Sequence, residues 1–159
     1  MRSIIASALM MVSVSTPGAA FHGQSSGATS GTASEKACSI LTRDLVLPLT
    51  QNPKLLDLIP PEEEPLANGG AACEFGPVRL QLYRPRSSPT KTQQKDFEAI
   101  QGVGDLAYFH NNRDRYAELM IWSGIRFFTL QVSVPSGSTA EATKPKTVAL
   151  ANQIIARLK

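Results

Sequence analysis

Apolar residues alternate with polar ones through much of residues 73–134 and recur at helical spacing near the C-terminus. In CEFGPVRLQLYR, residues 73–84, Val78, Leu80 and Leu82 alternate with Arg79, Gln81 and Tyr83. That period predicts one half-buried strand. Residues 106–110 and 116–122 predict two more, joined across Asn111-Asn112-Arg113-Asp114, a turn by composition. Ser123-Gly124 reads as a two-residue hairpin turn into a last strand over 125–134. Such a turn sets Trp122 opposite Ile125, Met120 opposite Phe127 and Leu119 opposite Phe128. One face then carries Leu119, Ile121, Phe128, Leu130, Val132 and Val134. Its misfit is Arg126, near the turn, where a long side chain reaches water. The other face carries Glu118, Thr129, Gln131 and Ser133, which suit water. It also carries Met120, Trp122, Ile125 and Phe127, which do not.

The ends of this region read as helical. In the final TAEATKPKTVALANQIIARLK, Val148, Ala151, Ile155 and Leu158, with Ile154 beside them, form one apolar stripe. Pro145 fits near the first turn, and Arg157 and Lys159 suit the C-terminal dipole. This helix is expected to pack on the Leu119/Phe128 face. Residues 38–49, CSILTRDLVLPL, predict a short helix capped by Thr42, with Asp44 in its first turn and Pro48 ending it. Residues 51–70 contain PPEEEP and NGG and read as a loop, with one helical turn at 54–58. The Glu62-Glu63-Glu64 run is taken as solvated rather than as a cation site. The fold class expected is α+β: an antiparallel meander of about four strands packed against a C-terminal helix.

The first residues do not join that core. Arg2, an apolar run from Ile4 to Val14, Pro17 and the small residues Gly18-Ala19-Ala20 have the layout of a signal peptide, with cleavage near Ala20. The competing reading is a buried N-terminal helix. Residues 21–35 are rich in Gly, Ser and Thr and read as a flexible tether. A single domain is expected over 36–159, with no membrane span in the mature chain. The protein is expected outside the cytoplasm, periplasmic or secreted.

The chain has two cysteines. In an exported protein an even count points to a disulfide, here Cys38 to Cys73, tying the N-terminal helix to the first strand. A redox or metal pair is the rival, but there is no C-x-x-C, and the histidines are His22 and His110. Sixteen Lys and Arg stand against 13 Asp and Glu, for a formal charge of +3. The charges are interspersed, with no basic stripe, so nucleic-acid binding gains no support. No cofactor and no metal are expected.

QGVGDLAYF, residues 101–109, carries the G-x-G-x-x-A spacing of a dinucleotide loop at Gly102, Gly104 and Ala107. Such a loop must follow a buried strand and open a helix. Here KDFEAIQ precedes it and AYFHNNRD follows, so it reads as a glycine turn feeding a strand, with Asp105 bonding nearby amides. No nucleotide is expected. His110 reads as a turn residue and not as the base of a triad. Among the acids of the domain, Glu62, Glu63, Glu64, Asp96, Glu98, Asp105 and Asp114 fall mostly in loops, and Glu118 faces Thr129 on the wetter part of its strand.

The order of ACSILTRDLV, AACEF, the F-x-x-I-x-G-V-G-D-x-A-Y-F segment, a last hairpin and IIARLK resembles a family of small exported bacterial proteins of unknown function. Many of these are lipoproteins. It is also similar in outline to extracytoplasmic sensor-type domains sharing the C-S-x-L-T opening and paired cysteines. The resemblance covers residues 37–158 and implies a compact α+β domain with Cys38 bonded to Cys73. It supplies no catalytic residue, and this chain departs from the pattern in lacking a lipobox. The function expected is a non-enzymatic extracytoplasmic binding or interaction module. Met120, Trp122, Ile125 and Phe127 would be its interaction patch unless another segment covers them. The partner would be an envelope protein, a polymer or a small ligand. The alternatives are a small secreted hydrolase using carboxylates on glycans, or an inhibitor of an envelope-directed enzyme.

Overall fold

The computed structural model describes residues 36–67, 69–83 and 97–159, which fall in one compact unit. The expected signal peptide and tether, and Asp96, lie outside the described residues.

Among the described residues the sheet has seven antiparallel strands, not about four. They are β1 (Glu62–Pro65), β2 (Ala71–Phe75), β3 (Val78–Tyr83), β4 (Phe97–Ile100), β5 (Leu106–Asn112), β6 (Tyr116–Ser123) and β7 (Arg126–Ser133). Their spatial order is β1-β2-β3-β7-β6-β5-β4. Two meanders, β1 to β3 and β4 to β7, therefore meet along β3 and β7. The extra strands come from three places. The expected strand over 73–84 is a hairpin, with Phe75 opposite Val78 across Gly76-Pro77. The expected loop over 51–70 holds β1 as well as the short helix α3 (Leu55–Leu58). Phe97–Ile100, four residues without a period-two alternation, is the half-exposed edge strand β4. Three glutamates and a proline have poor strand preference, yet an edge suits them. Pro65 needs no ladder donor there, and charge discourages further pairing.

The β6–β7 hairpin turns one residue later than expected, at Gly124-Ile125, which shifts the cross-strand register by two. Ser123 pairs with Arg126, Trp122 with Phe127, Ile121 with Phe128 and Leu119 with Leu130. Gly124 takes φ +60, as the first central residue of a II′ turn requires, and Ile125 follows it in the turn. A shift of two conserves the faces, because the side-chain period is two. Leu119, Ile121, Phe128, Leu130 and Val132 are buried as expected, and Ala107, Phe109, Ala117, Val78 and Leu80 join them.

Helices cover this inner face. α4 (Ala140–Arg157) packs on β5, β6 and β7. It starts earlier than expected, capped by Thr139, whose hydroxyl accepts the Ala142 N–H at 3.2 Å. Pro145 thus lies in the second turn and not the first. The buried stripe is Thr143, Thr147, Leu150, Ala151 and Ile154, with Val148 and Ile155 at its margin. The expected short helix after Thr42 is α2 (Arg43–Val46), with Asp44 in its first turn; α1 (Ala37–Ile40) precedes it and a 3-10 turn (Leu47–Leu49) containing Pro48 follows it. Thr42 is extended between α1 and α2, and its hydroxyl accepts from Arg157 Nη1 at 2.7 Å instead of capping α2. The same Arg157 nitrogen donates to the Ile40 carbonyl, tying the end of α4 to α1. The Cys38–Cys73 disulfide joins α1 to β2, with Cα atoms 5.0 Å apart. No described helix is long and apolar enough to cross a membrane.

Candidate functional site

The face of the sheet opposite α4 is where side chains of several strands meet without a described helix above them. Its register sets them in transverse rows, with neighbouring rows about 7 Å apart. One row crosses all seven strands: Glu62, Glu74, Arg79, Gln131, Glu118, His110 and Phe97. The next runs through Gln81, Thr129, Met120 and Tyr108. The third is Tyr83, Phe127, Trp122 and Leu106. The face is thus charged on one side and aromatic on the other.

The aromatic row is a stack. Phe127 lies between Tyr83, at 4.8 Å and 24° between planes, and Trp122, at 4.5 Å and 19°. Tyr108 meets Trp122 edge-on at 6.1 Å. Nearly parallel rings on adjacent strands cover one another's faces and turn their edges outward. Met120, Trp122 and Phe127 are half-buried in this way. Ile125 stands apart at the tip of the turn and is 76% exposed. Three of the four expected patch residues therefore lie together, and Ile125 flanks them. Tyr83 and Tyr108 belong to the cluster and were not foreseen. Their outward alternation was visible, but the strand order that joins them to Trp122 was not.

The turn end of this row is fastened from below. Asp105 donates its N–H to the Trp122 carbonyl at 2.7 Å. Its carboxylate accepts the Gly124 N–H at 2.6 Å. QGVGDLAYF is thus the β4–β5 connection, and it opens a strand. Asp105 bonds amides as expected, in a neighbouring hairpin rather than in its own turn.

The charged row holds an ion group around Arg79 and a contact between His110 and Glu118. Arg79 donates to Glu64 at 2.7 Å and to Glu74 at 3.1 Å. Burial, which would lower the guanidinium's pKa, is outweighed by these bonds and charges, so it is raised. His110 is not a turn residue. It lies within β5, its ring stacked on Phe97 at 4.5 Å. Its buried Nδ1 is 3.5 Å from Glu118 Oε2 and makes no hydrogen bond among the described residues. Glu118 faces Gln131 and His110, not Thr129, and its side chain is 16% exposed, less solvated than expected.

Beyond the charged row, at the end nearest Gly76-Pro77, the face opens into a cleft of about 310 Å³. Glu74, Arg79, Gln81, Tyr116, Gln131 and Ser133 line it. The lining comes from four strands, so no local motif announced it. Among the described residues that line it there is one carboxylate, Glu74, which already accepts from Arg79.

Comparison with known proteins finds no match: no family profile, no curated protein and no solved structure aligns with the chain. The likeness to small exported domains therefore rests on the short motifs alone.

Proposed function

We propose that the chain is an exported, non-enzymatic binding module, and that its aromatic row docks a protein partner through apolar side chains. The observation that carries this reading is the Tyr83–Phe127–Trp122 stack beside an exposed Ile125. Rings whose faces are taken by one another offer no flat platform to a sugar. Their edges, with the grooves between them, suit apolar side chains and backbone. The disulfide supports export, since such bonds persist in oxidising compartments.

The test uses Ile125→Glu and Trp122→Ala in the oxidised protein, each first compared with wild type in urea unfolding. Ile125→Glu, at an exposed turn position, is expected to leave the midpoint unchanged. A purified envelope protein retained by wild type should be released by Ile125→Glu and by Trp122→Ala. Trp122 emission in the free protein should be readily quenched by acrylamide and protected in the complex. The reading fails if both variants retain the partner, or if Trp122 is unquenchable in the free folded protein.

A further inference from the structure

We propose that the cleft beside Arg79, on the outer face of β3, β7 and β6, is a second binding site, and that it takes one or two neutral sugar rings. It goes beyond the protein-docking reading and does not depend on it. Tyr116 in the cleft and Trp122 in the aromatic row are six residues apart on β6, about 20 Å along the strand.

Four features point to this ligand class. The first is size: about 310 Å³ is at the small end of ligand sites, which run from roughly 300 to 1,000 Å³. The second is charge. An arginine in a polar cleft ordinarily suggests a phosphate or carboxylate ligand. Here Arg79 is already held by Glu64 and Glu74, and the three formal charges sum to −1. An added anion would meet two carboxylates, so a neutral ligand is favoured. The third is hydrogen-bonding capacity. Arg79, Gln131 and Ser133 donate, and Glu74, Gln131 and Ser133 accept, which matches the mixed demand of sugar hydroxyls. Gln81 Oε1 accepts from the Tyr83 hydroxyl at 3.0 Å and from Thr129 Oγ1 at 2.8 Å, which sets that amide in one orientation.

The fourth is Tyr116. It is 39% exposed, and among the described residues no ring stacks on it. Its exposed ring is the surface we assign to the apolar C–H side of a sugar, whereas Phe127 in the aromatic row is stacked on both faces. Apart from the Gly76-Pro77 turn the lining sits on strands, and Arg79 is held by bonds to Glu64 and Glu74. The site is therefore formed before the ligand arrives.

The experiment is an amide NMR titration of the oxidised protein. The probes are N,N′-diacetylchitobiose, cellobiose and maltose, each to about 10 mM, the range a shallow site requires. Glucuronate, inorganic phosphate and tetramethylammonium serve as charged comparators. At least one neutral disaccharide should shift the amides of Arg79, Tyr116, Gln131 and Ser133 in a saturable way. Tyr116→Ala should weaken that binding about tenfold or more. Gln131→Glu, which adds a second carboxylate to the cleft lining and retains the side-chain length, should do likewise. A well-dispersed spectrum for each variant shows that it is folded. The proposal is overturned if no neutral disaccharide shifts these amides, or if a charged comparator shifts them as strongly. It is also overturned if the shifts fall at Trp122 and Phe127, or if both folded variants bind as wild type does. None of these results bears on whether Ile125→Glu releases a protein partner.

Discussion

Gly104 takes φ +58, and a Cβ there would stand 2.4 Å from the Trp122 carbonyl oxygen. Gly102, two residues earlier, takes φ +78 but faces open space. Both positions strain an L-residue, and only Gly104 adds a backbone clash. Gly102→Ala should therefore lower stability by about 1 kcal/mol, and Gly104→Ala by about 3 kcal/mol. Urea midpoints at constant m decide it, and equal losses would mean that the turn moves freely away from β6. The sequence already placed these glycines in a turn before a strand, because no helix pattern follows them. It did not reveal why Gly104 admits no side chain. The obstacle is a carbonyl on another strand, brought close by Asp105, which reaches Gly124 across 19 residues. Spacing reports what a residue prefers, and not what lies opposite it.

Among the elements, α4 was the most legible and β1 the least. α4 carries its own periodicity, which fixes the buried side to within a fraction of a turn. β1 is strand only because β2 offers it an edge, and its glutamates find Arg79 and the Cys38 N–H as partners. Neither partner is local. α4 also carries an ion group that its own sequence left hidden. Lys144 Nζ lies 2.5 Å from Glu98 of β4 and 3.5 Å from Glu141, and 4.7 Å above the Phe109 ring. Burial, which would lower its pKa, is outweighed by the bond to Glu98 and the charges of Glu141 and Glu98, so the pKa is raised above the ordinary 10.5. A raised lysine pKa stabilises the fold fully below its ordinary value, and this contribution is lost as pH rises through the folded value. Lys144→Met retains an apolar stem over Phe109 and removes the charge. It should cost about 1 kcal/mol at pH 7, a difference that shrinks above pH 10.5. Paired urea titrations from neutral to strongly alkaline pH measure it. A difference that does not change with pH would assign the cost to packing alone.

At the scale of the whole molecule, the hydrophobic faces were legible and the strand order was not. Period two fixes which side of a strand is buried, and even a two-residue shift in the β6–β7 register left those sides intact. That β3 pairs with β7, and so brings Tyr83 to Phe127 and Arg79 to Gln131, depends on contacts across some 50 residues. The helical layer is held together, and to this sheet, by different chemistry. Arg157 holds α4 to α1 and Thr42 by hydrogen bonds. The disulfide holds α1 to β2 and closes a loop with a sequence separation of 35. On the chain-entropy account such a loop contributes about 4 kcal/mol, a large share of the roughly 5 to 15 kcal/mol typical of a domain. Cys38→Ala/Cys73→Ala should therefore lower stability by about that amount, leaving the sheet and α4 assembled if the remainder is positive. Cys73 is buried beside Leu80, and part of the loss is a cavity at that point. Comparing the double variant with the reduced wild type separates the two, since reduction opens the loop and retains both sulfurs. Amide exchange should then quicken first in α1, α2 and β1, because the bond anchors those elements, while β5, β6 and β7 remain protected under α4. Uniform quickening across the sheet would mean that the disulfide supports one cooperative core. A loss below about 1 kcal/mol would mean that the Arg157 contacts alone suffice to hold the N-terminal turns in place.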